Sequence, residues 1–305
     1  MELGILREEV VPLCFDKSKY AIVTIVSVLR AGGACLCISP DLPRDRRLGI
    51  IEETAARFVL CSASNNELIR HKGTTVVTVS ANMFSLLQPS ASFIPPHVAS
   101  HSLAFVLYTS GSTGKPKGIL LEHVNICTSI ESYKESMDVT PKTKLLHFAS
   151  YAFDMSIYEI FTALTCGACL SVPHDFDRMN NLGGYIHQHQ ITLAMLTPTT
   201  VSVLRPETLP HLKTLVLAGE AITQDNVNTW AGKVDLVDAY GPAETTICAV
   251  GRIPERGWIP DTIGHVVGGR GWIATTENPQ KLAAIGAVGQ LIVSSPSFPQ
   301  PTPLE

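Results

Sequence analysis

The sequence predicts an α/β fold with mainly parallel sheets flanked by helices. Two observations carry this. Short apolar runs alternate along most of the chain with stretches of helical periodicity. Those runs are continuously apolar, as strands are when helices cover both faces of a parallel sheet.

Taken in order, residues 17–31 show helical periodicity and end at Gly32-Gly33, a helix-stop signal. Residues 34–39 follow as a short strand. Residues 45–53 read as a helix, and residues 58–62 and 74–79 as strands, the last of these β-branched. Residues 86–102, rich in Pro and Ser, read as a loop. Residues 104–108 form an apolar strand. A Gly/Ser/Thr/Lys loop follows it directly, then a helix from about His123. Strands at 145–148 and 168–172 flank a helix at 157–164. Strands at 212–217 and 234–237 flank a helix starting near Thr223. Residues 290–293 read as a last strand. Residues 1–293 are therefore expected to form one core. Residues 294–305, with four prolines and no periodic pattern, are expected to be a disordered tail.

Composition narrows the function. Of 305 residues, 45% are hydrophobic and 16% charged, enough apolar material for a substantial core. The net charge is -4 and no basic stripe is present, which argues against a nucleic-acid partner. The apolar stretch at 21–29 is shorter than the roughly 20 residues of a membrane span. It lacks the flanks of a signal peptide, so a cytoplasmic protein with no membrane partner is expected. Most of the eight cysteines lie inside apolar runs, where a thiol behaves as a small hydrophobe. Cys166 and Cys169 form a C-x-x-C without a matching second pair, and are expected to be buried thiols beside a strand rather than a zinc site.

The strongest chemical signal is Tyr108-Thr-Ser-Gly-Ser-Thr-Gly-Lys-Pro-Lys-Gly118. Gly111 and Gly114 let the backbone approach a ligand, and successive N–H groups can then form an anion-binding nest. Thr109, Ser110, Ser112 and Thr113 add hydroxyls, and Lys115 and Lys117 add positive charge. This is what a polyphosphate needs. It is not a Walker A loop: Thr109 stands where that motif needs its first Gly, and Pro116 where it needs Ser or Thr.

At these residues the chain resembles the adenylate-forming superfamily, which includes acyl-CoA ligases, luciferases and peptide-synthetase adenylation domains. The order of further motifs is similar to the last group. Leu29-Arg-Ala-Gly-Gly-Ala-Cys-Leu-Cys-Ile-Ser-Pro-Asp-Leu-Pro43, Phe153-Asp-Met-Ser156, Ala239-Tyr-Gly-Pro-Ala-Glu-Thr245 and Ile285-Gly-Ala-Val-Gly-Gln-Leu-Ile292 resemble four segments of that family in sequence order. The resemblance covers about residues 11–293. It implies the large N-terminal portion of the adenylate-forming (acyl-CoA synthetase-like) fold, as two packed α/β subdomains.

The resemblance also implies a reaction. An amino acid carboxylate attacks the α-phosphorus of ATP, giving aminoacyl-AMP and pyrophosphate. Catalysis of that step is mostly positioning and charge neutralisation. By resemblance, the loop from Thr109 to Lys117 holds the phosphates, with Lys117 and Glu244 as the catalytic pair. Glu244 is implied to contact Mg2+, a hard cation that takes oxygen ligands. Tyr240 would pack on adenine, and the Ala218-Gly219-Glu220 turn with Ala239, Gly241 and Thr245 would complete the nucleotide site. Ala243 stands where the family motif carries Thr, which removes a hydroxyl worth about 1.5–3 kcal/mol to a charged group.

Asp154 carries the substrate class. By resemblance it holds the α-ammonium of an amino acid, since a buried carboxylate needs a partner charge. Taken on the residues alone, Asp154 also reads as a cap on a helix beginning near Ser156. The side-chain pocket implied is Met155, Tyr158, Met195, Val216, Ala218, Ala239, Ile247 and Cys248. No ionisable residue is strongly placed among them, which predicts an apolar, aromatic or bulky α-amino acid. His147 reads either as a gate near the substrate or as a structural histidine.

By the same resemblance the chain is expected to be a truncated adenylation domain. Its N-terminal start is absent, as are the Tyr-Arg-Thr-Gly-Asp-type motif and the C-terminal lid subdomain with its bridging lysine. Three readings stay open: an adenylation enzyme of non-ribosomal peptide biosynthesis, a non-catalytic nucleotide- and amino-acid-binding remnant, and a truncated acyl- or aryl-CoA ligase. The first implies a phosphopantetheinyl carrier domain on another chain as partner.

Overall fold

The computed structural model describes residues 4–86, 94–109, 117–245 and 247–294. The elements run β1 (Val10–Cys14), α1 (Lys19–Arg30), β2 (Ala34–Cys37), α2 (Arg44–Glu53), β3 (Phe58–Cys61), β4 (Thr75–Thr78), α3 (Ala81–Leu86), β5 (Leu103–Thr109), β6 (Lys117–Glu122) and α4 (His123–Tyr133). The second half continues with β7 (Lys144–Leu146), α5 (Asp154–Thr165), β8 (Cys169–Ser171), α6 (Asp175–Asn180), α7 (Leu182–Gln188), β9 (Leu193–Leu196) and α8 (Pro198–Val201). Then come β10 (Thr214–Ala218), α9 (Gln224–Trp230), β11 (Asp235–Tyr240), β12 (Ala249–Arg252), β13 (His265–Val266), β14 (Arg270–Ala274) and β15 (Gln290–Ser294).

They build a six-stranded sheet, order β4-β3-β1-β2-β5-β6, and a seven-stranded sheet, order β13-β12-β11-β10-β9-β7-β8. Every pairing is parallel except β5 with β6, β11 with β12 and β12 with β13. β14 and β15 form a separate antiparallel pair. One apolar cluster runs through both large sheets, from Val11 and Phe105 to Met195 and Val216. Phe105 of β5 meets Phe161 of α5 edge-on at 5.9 Å, a geometry worth about 0.5–1.5 kcal/mol beyond area burial.

Local chemistry explains the elements that frame the site. Ser18 caps α1, its hydroxyl accepting from the Ala21 N–H, and Ile22, Ile25 and Leu29 line its buried face. Phe153 precedes α5 as its N-cap residue, so the helix begins at Asp154, not near Ser156. Asp154 is thus no cap. It lies in the first turn, where the helix dipole favours a carboxylate, and its Oδ1 accepts from the Met155 N–H at 2.7 Å. Thr223 caps α9 through a reciprocal pair with Asn226.

Three expectations are corrected. The glycine-rich loop joins two antiparallel strands, β5 and β6, with Thr109 paired to Lys117, and α4 follows β6 rather than the loop. β6 exists because Ile119 and Leu121 alternate into the core. β1, α3, α6, α7, β9, α8 and β12 to β14 carry no signal picked out from the sequence. Cys169 is exposed because β8 is the edge strand of its sheet, and Cys166, the C-cap residue of α5, is only half-buried. Residues 295–305, most of the expected tail, lie outside the described residues.

Candidate active site

Two cavities open at the C-terminal ends of the parallel strands of the second sheet, where diverging loops leave room for a ligand. The first, of about 440 Å³, is lined by Phe148, Ala149 and Ser150 beyond β7, Leu196 and Thr197 at the end of β9, and Ala218 and Gly219 at the end of β10. Phe153, Asp154, Met155 and Tyr158 close it from α5, and Ala239, Gly241 and Ile247 from the β11 side. Its floor follows from strand register. Met195, Ala218 and Ala239 point to one face of the sheet, and the two alanines, paired across β10 and β11, leave the space above them open.

The second cavity, of about 460 Å³, is lined by residues 219–222, 238–242 and 261–263 with Trp258. Gly219, Ala239 and Gly241 line both, so the cavities share a wall. Gly219 takes φ +82°, a left-handed turn that glycine adopts without cost. Period-two alternation turns Asp238 and Tyr240 of β11 away from the Ala239 face and toward this second cavity. Tyr240 is 42% exposed, leaving its ring face free to take a flat ligand. Burial raises the Asp238 carboxyl to about 6.

Asp154 lines the first cavity. Burial holds its carboxyl above the ordinary range against the Met155 hydrogen bond, and the charge of Glu244 pushes the same way. A cation entering the cavity beside Asp154 would relieve that cost. Glu244 itself is exposed in the turn after β11. Glu220, which lines the second cavity, spends its carboxylate on α8, accepting from the Thr199 N–H at 2.9 Å and hydroxyl at 2.6 Å. The Thr245 N–H and hydroxyl both donate to the Pro242 carbonyl, closing that turn on itself.

Of the eight predicted pocket residues, Met155, Tyr158, Met195, Ala218, Ala239 and Ile247 line the first cavity together. Val216 and Cys248 do not. Val216 lies two residues before Ala218 on β10, pairs with Met195 of β9 and is fully buried, and Cys248 is packed in the core. Arg178 of α6 does line it, so the lining holds an ionisable side chain besides Asp154. Its guanidinium lies 5.8 Å from the Phe148 ring, and its Nε donates to Asp175 at 3.1 Å. The α6 segment carries no strong pattern, which hides Arg178 from sequence reasoning, while Phe148 beyond β7 and Trp258 between β12 and β13 lie outside every motif. Asp238 was findable: it stands two residues before Tyr240, on the same strand face. His147 is structural, fully buried behind the cavity. Ser110, Gly111, Ser112, Thr113, Gly114 and Lys115 lie outside the described residues. Thr109 and Lys117 are backbone-paired at the ends of β5 and β6.

Comparison with known proteins now bears on this arrangement. The sequence profile of the AMP-binding enzyme family matches residues 1–299, which extends beyond the stretch first noted. This chain belongs to the AMP-binding enzymes. Within the family its relatives are nonribosomal peptide synthetases. It is 46% identical over 293 residues to notE′ of Aspergillus versicolor, covering 95% of this chain and 13% of that one. It is 43% identical over 297 residues to nonribosomal peptide synthetase 13 of Aspergillus fumigatus, with 96% and 13% covered. The chain therefore spans about an eighth of the length of these curated relatives, and its motifs are those of an adenylation domain.

Solved structures agree on the AMP-binding fold. The nonribosomal peptide synthetase FmoA3, bound to α-methyl-L-serine-AMP, superposes with a TM-score of 0.85 at 25% identity, covering 97% of this chain and 34% of that one. The N-terminal subdomain of Klebsiella oxytoca NpsA, in complex with 3-hydroxybenzoyl-AMSN, gives 0.84 at 20% identity, with 96% and 74% covered. No helix among the described residues is long and apolar enough to cross a membrane.

Members of this family act on nucleotides, which raises the question of Mg2+. Among the described residues no group of three or more His, Cys, Asp or Glu could hold a metal. Among the described residues, Glu244 offers an exposed carboxylate close enough to act on Asp154. That fits Mg2+, which takes hard oxygen ligands and commonly draws most of them from water and substrate phosphates.

Proposed function

We propose that this chain binds ATP and an α-amino acid with an apolar, bulky side chain, for activation to aminoacyl-AMP in non-ribosomal peptide biosynthesis. The observation that carries this reading is Asp154, a carboxylate penalised by burial, at the lip of an apolar cavity that shares a wall with a second cavity. An amino acid ammonium satisfies Asp154. An acyl or aryl acid has no such charge and leaves it unpaired, which disfavours a CoA ligase.

In this reading Asp154 holds the ammonium while Met155, Tyr158, Met195 and Ile247 enclose the side chain. Arg178 sits at the rim, its stem adding apolar surface and its head held by Asp175. The nucleotide occupies the second cavity, with its adenine against Tyr240 and its exocyclic amine in reach of Asp238. The substrate carboxylate is thereby brought across the shared wall to the α-phosphorus. One carboxylate oxygen bonds to phosphorus as the bridge to the β-phosphate breaks, and pyrophosphate leaves. Glu244 is placed to hold Mg2+, which would neutralise phosphate charge. Ser110 to Lys115, with Thr109 and Lys117, are assigned to the pyrophosphate group. The activated acyl group would pass to a phosphopantetheinyl carrier. The adenylation–carrier di-domain built from NpsA and ThdA, similar in fold, is in keeping with that partner.

The test is calorimetry of the full chain with AMPPNP and with each proteinogenic amino acid, alongside amino-acid-dependent pyrophosphate exchange. Binding of one apolar amino acid with exchange supports an adenylating enzyme. Binding without exchange supports a binding module. Preference for a carboxylic acid without an α-amine overturns the reading.

A further inference from the structure

Behind the first cavity lies a polar cluster that the reaction does not use. Glu159 of α5 and Lys17, at the β1–α1 corner of the other sheet, are both almost wholly buried. They meet at Ala149, one of the cavity's wall residues. The Ala149 N–H donates to both Glu159 oxygens, at 3.2 and 3.1 Å. The Ala149 carbonyl accepts from Lys17 Nζ. His147 Nδ1 accepts from the same ammonium or amine, and its Nε2–H donates to Ser156 at 3.1 Å. The Tyr151 ring lies 4.7 Å from Lys17 Nζ. Its hydroxyl donates to the Ser18 carbonyl and accepts from the Ser18 N–H, both at 3.2 Å.

We propose that Lys17 and Glu159 are positioning residues for the amino-acid cavity, gripping Ala149 by both of its backbone polar groups and so fixing the 148–150 wall. The inference rests on the amino-acid-binding reading above. Two features support it. The segment between β7 and α5 has no ladder of its own, so its backbone groups must find partners elsewhere. And the grip touches only the first cavity, since no residue from 147 to 159 lines the second. Burial lowers the Lys17 ammonium to about 7 and raises the Glu159 carboxyl to about 8, so both can sit at Ala149 with little net charge near neutrality. A structural role alone would leave the two ligands equally affected by a substitution. A positioning role separates them.

The experiment uses the full chain with Lys17→Met, Glu159→Leu and the conservative Glu159→Gln. The probes are AMPPNP and the aminoacyl-sulfamoyl adenosines of leucine, phenylalanine and methionine. Lys17→Met and Glu159→Leu are expected to weaken the tightest analogue about tenfold or more, while AMPPNP stays within about twofold of wild type. Glu159→Gln, which keeps an acceptor for Ala149, is expected to bind both as wild type does. Equal losses for both probes, or no loss for either, overturn the proposal. Hydrogen exchange at the Ala149 amide in the ligand-free wild type gives a readout independent of folding in the variants. Slow exchange supports the grip, and exchange at the rate of an open loop overturns it. If wild type binds AMPPNP but none of the analogues, the assigned function fails, and the grip stands or falls on the exchange measurement.

Discussion

Ala218 and Ala239 face each other across β10 and β11, the last paired residues before the two strands part, and both line the first cavity. Their small side chains set its depth. Ala218→Leu should fill that floor and weaken the bulkiest aminoacyl-sulfamoyl adenosine that binds by about tenfold or more, since overpacking a fitted site costs about 1–3 kcal/mol. AMPPNP affinity should hold, because Ala218 does not line the second cavity. Calorimetry with both probes checks this.

Asp154→Asn keeps the shape and the acceptor for the Met155 N–H but removes the charge. Amino-acid affinity should fall by about 1.5–3 kcal/mol, or roughly 10- to 100-fold in Kd. Stability should hold or rise near neutral pH, because burial raises the Asp154 carboxyl and the folded chain bears the cost of its charge. A melting temperature that falls sharply would mean Asp154 is needed for folding instead.

Asp238 should make stability depend on pH. Its carboxyl is raised from 3.8 to about 6 by burial, so the folded chain binds this proton more tightly than the unfolded chain. The contribution is full below the unfolded value and is lost as pH rises through the folded one. Asp238→Asn should therefore melt higher than wild type at about pH 7.5, with the advantage vanishing near pH 4. Equal melting temperatures at both values would show that the carboxyl titrates normally.

Gly219→Ala should cost about 1–2 kcal/mol in urea unfolding, the strain of a left-handed backbone carrying a side chain. The added methyl would meet nothing closer than Thr197 at 3.9 Å, so the cost is conformational. Because Gly219 lines both cavities, AMPPNP and the aminoacyl analogue should weaken together.

Much of this was legible in the residues. Continuous apolar runs such as Leu215 to Leu217 and the alternation with helices were enough for the parallel sheets, because burial on two faces leaves that mark. Asp154 at the start of α5 and Tyr240 at the end of β11 stand out in the sequence because both lie in motifs where the chain turns, and each lines one of the two cavities. What escaped depends on distance or on context. Lys17 and His147 are 130 residues apart in sequence, and no local pattern reports their contact. β6 was hidden because Lys117-Gly118 reads as the end of a loop, and only pairing with β5 makes it a strand. Cys169 looked buried within an apolar run, yet its strand is the sheet edge, a fact of topology rather than of sequence. Val216 shares the face of Ala218 and is level with Met195, which lines the cavity, so register fixes the face of a residue but not whether its neighbours cover it.

The wall common to the two cavities makes the molecule unequal in how freely it can diverge. On the reading proposed above, changes at Gly219, Ala239 or Gly241 would reach both ligands at once and would answer to the nucleotide. Met155, Met195 and Ile247, which line the first cavity alone, would answer to the amino acid. A lineage, or an engineer, could then repaint that side to admit a new monomer while the energy source goes on being recognised as before.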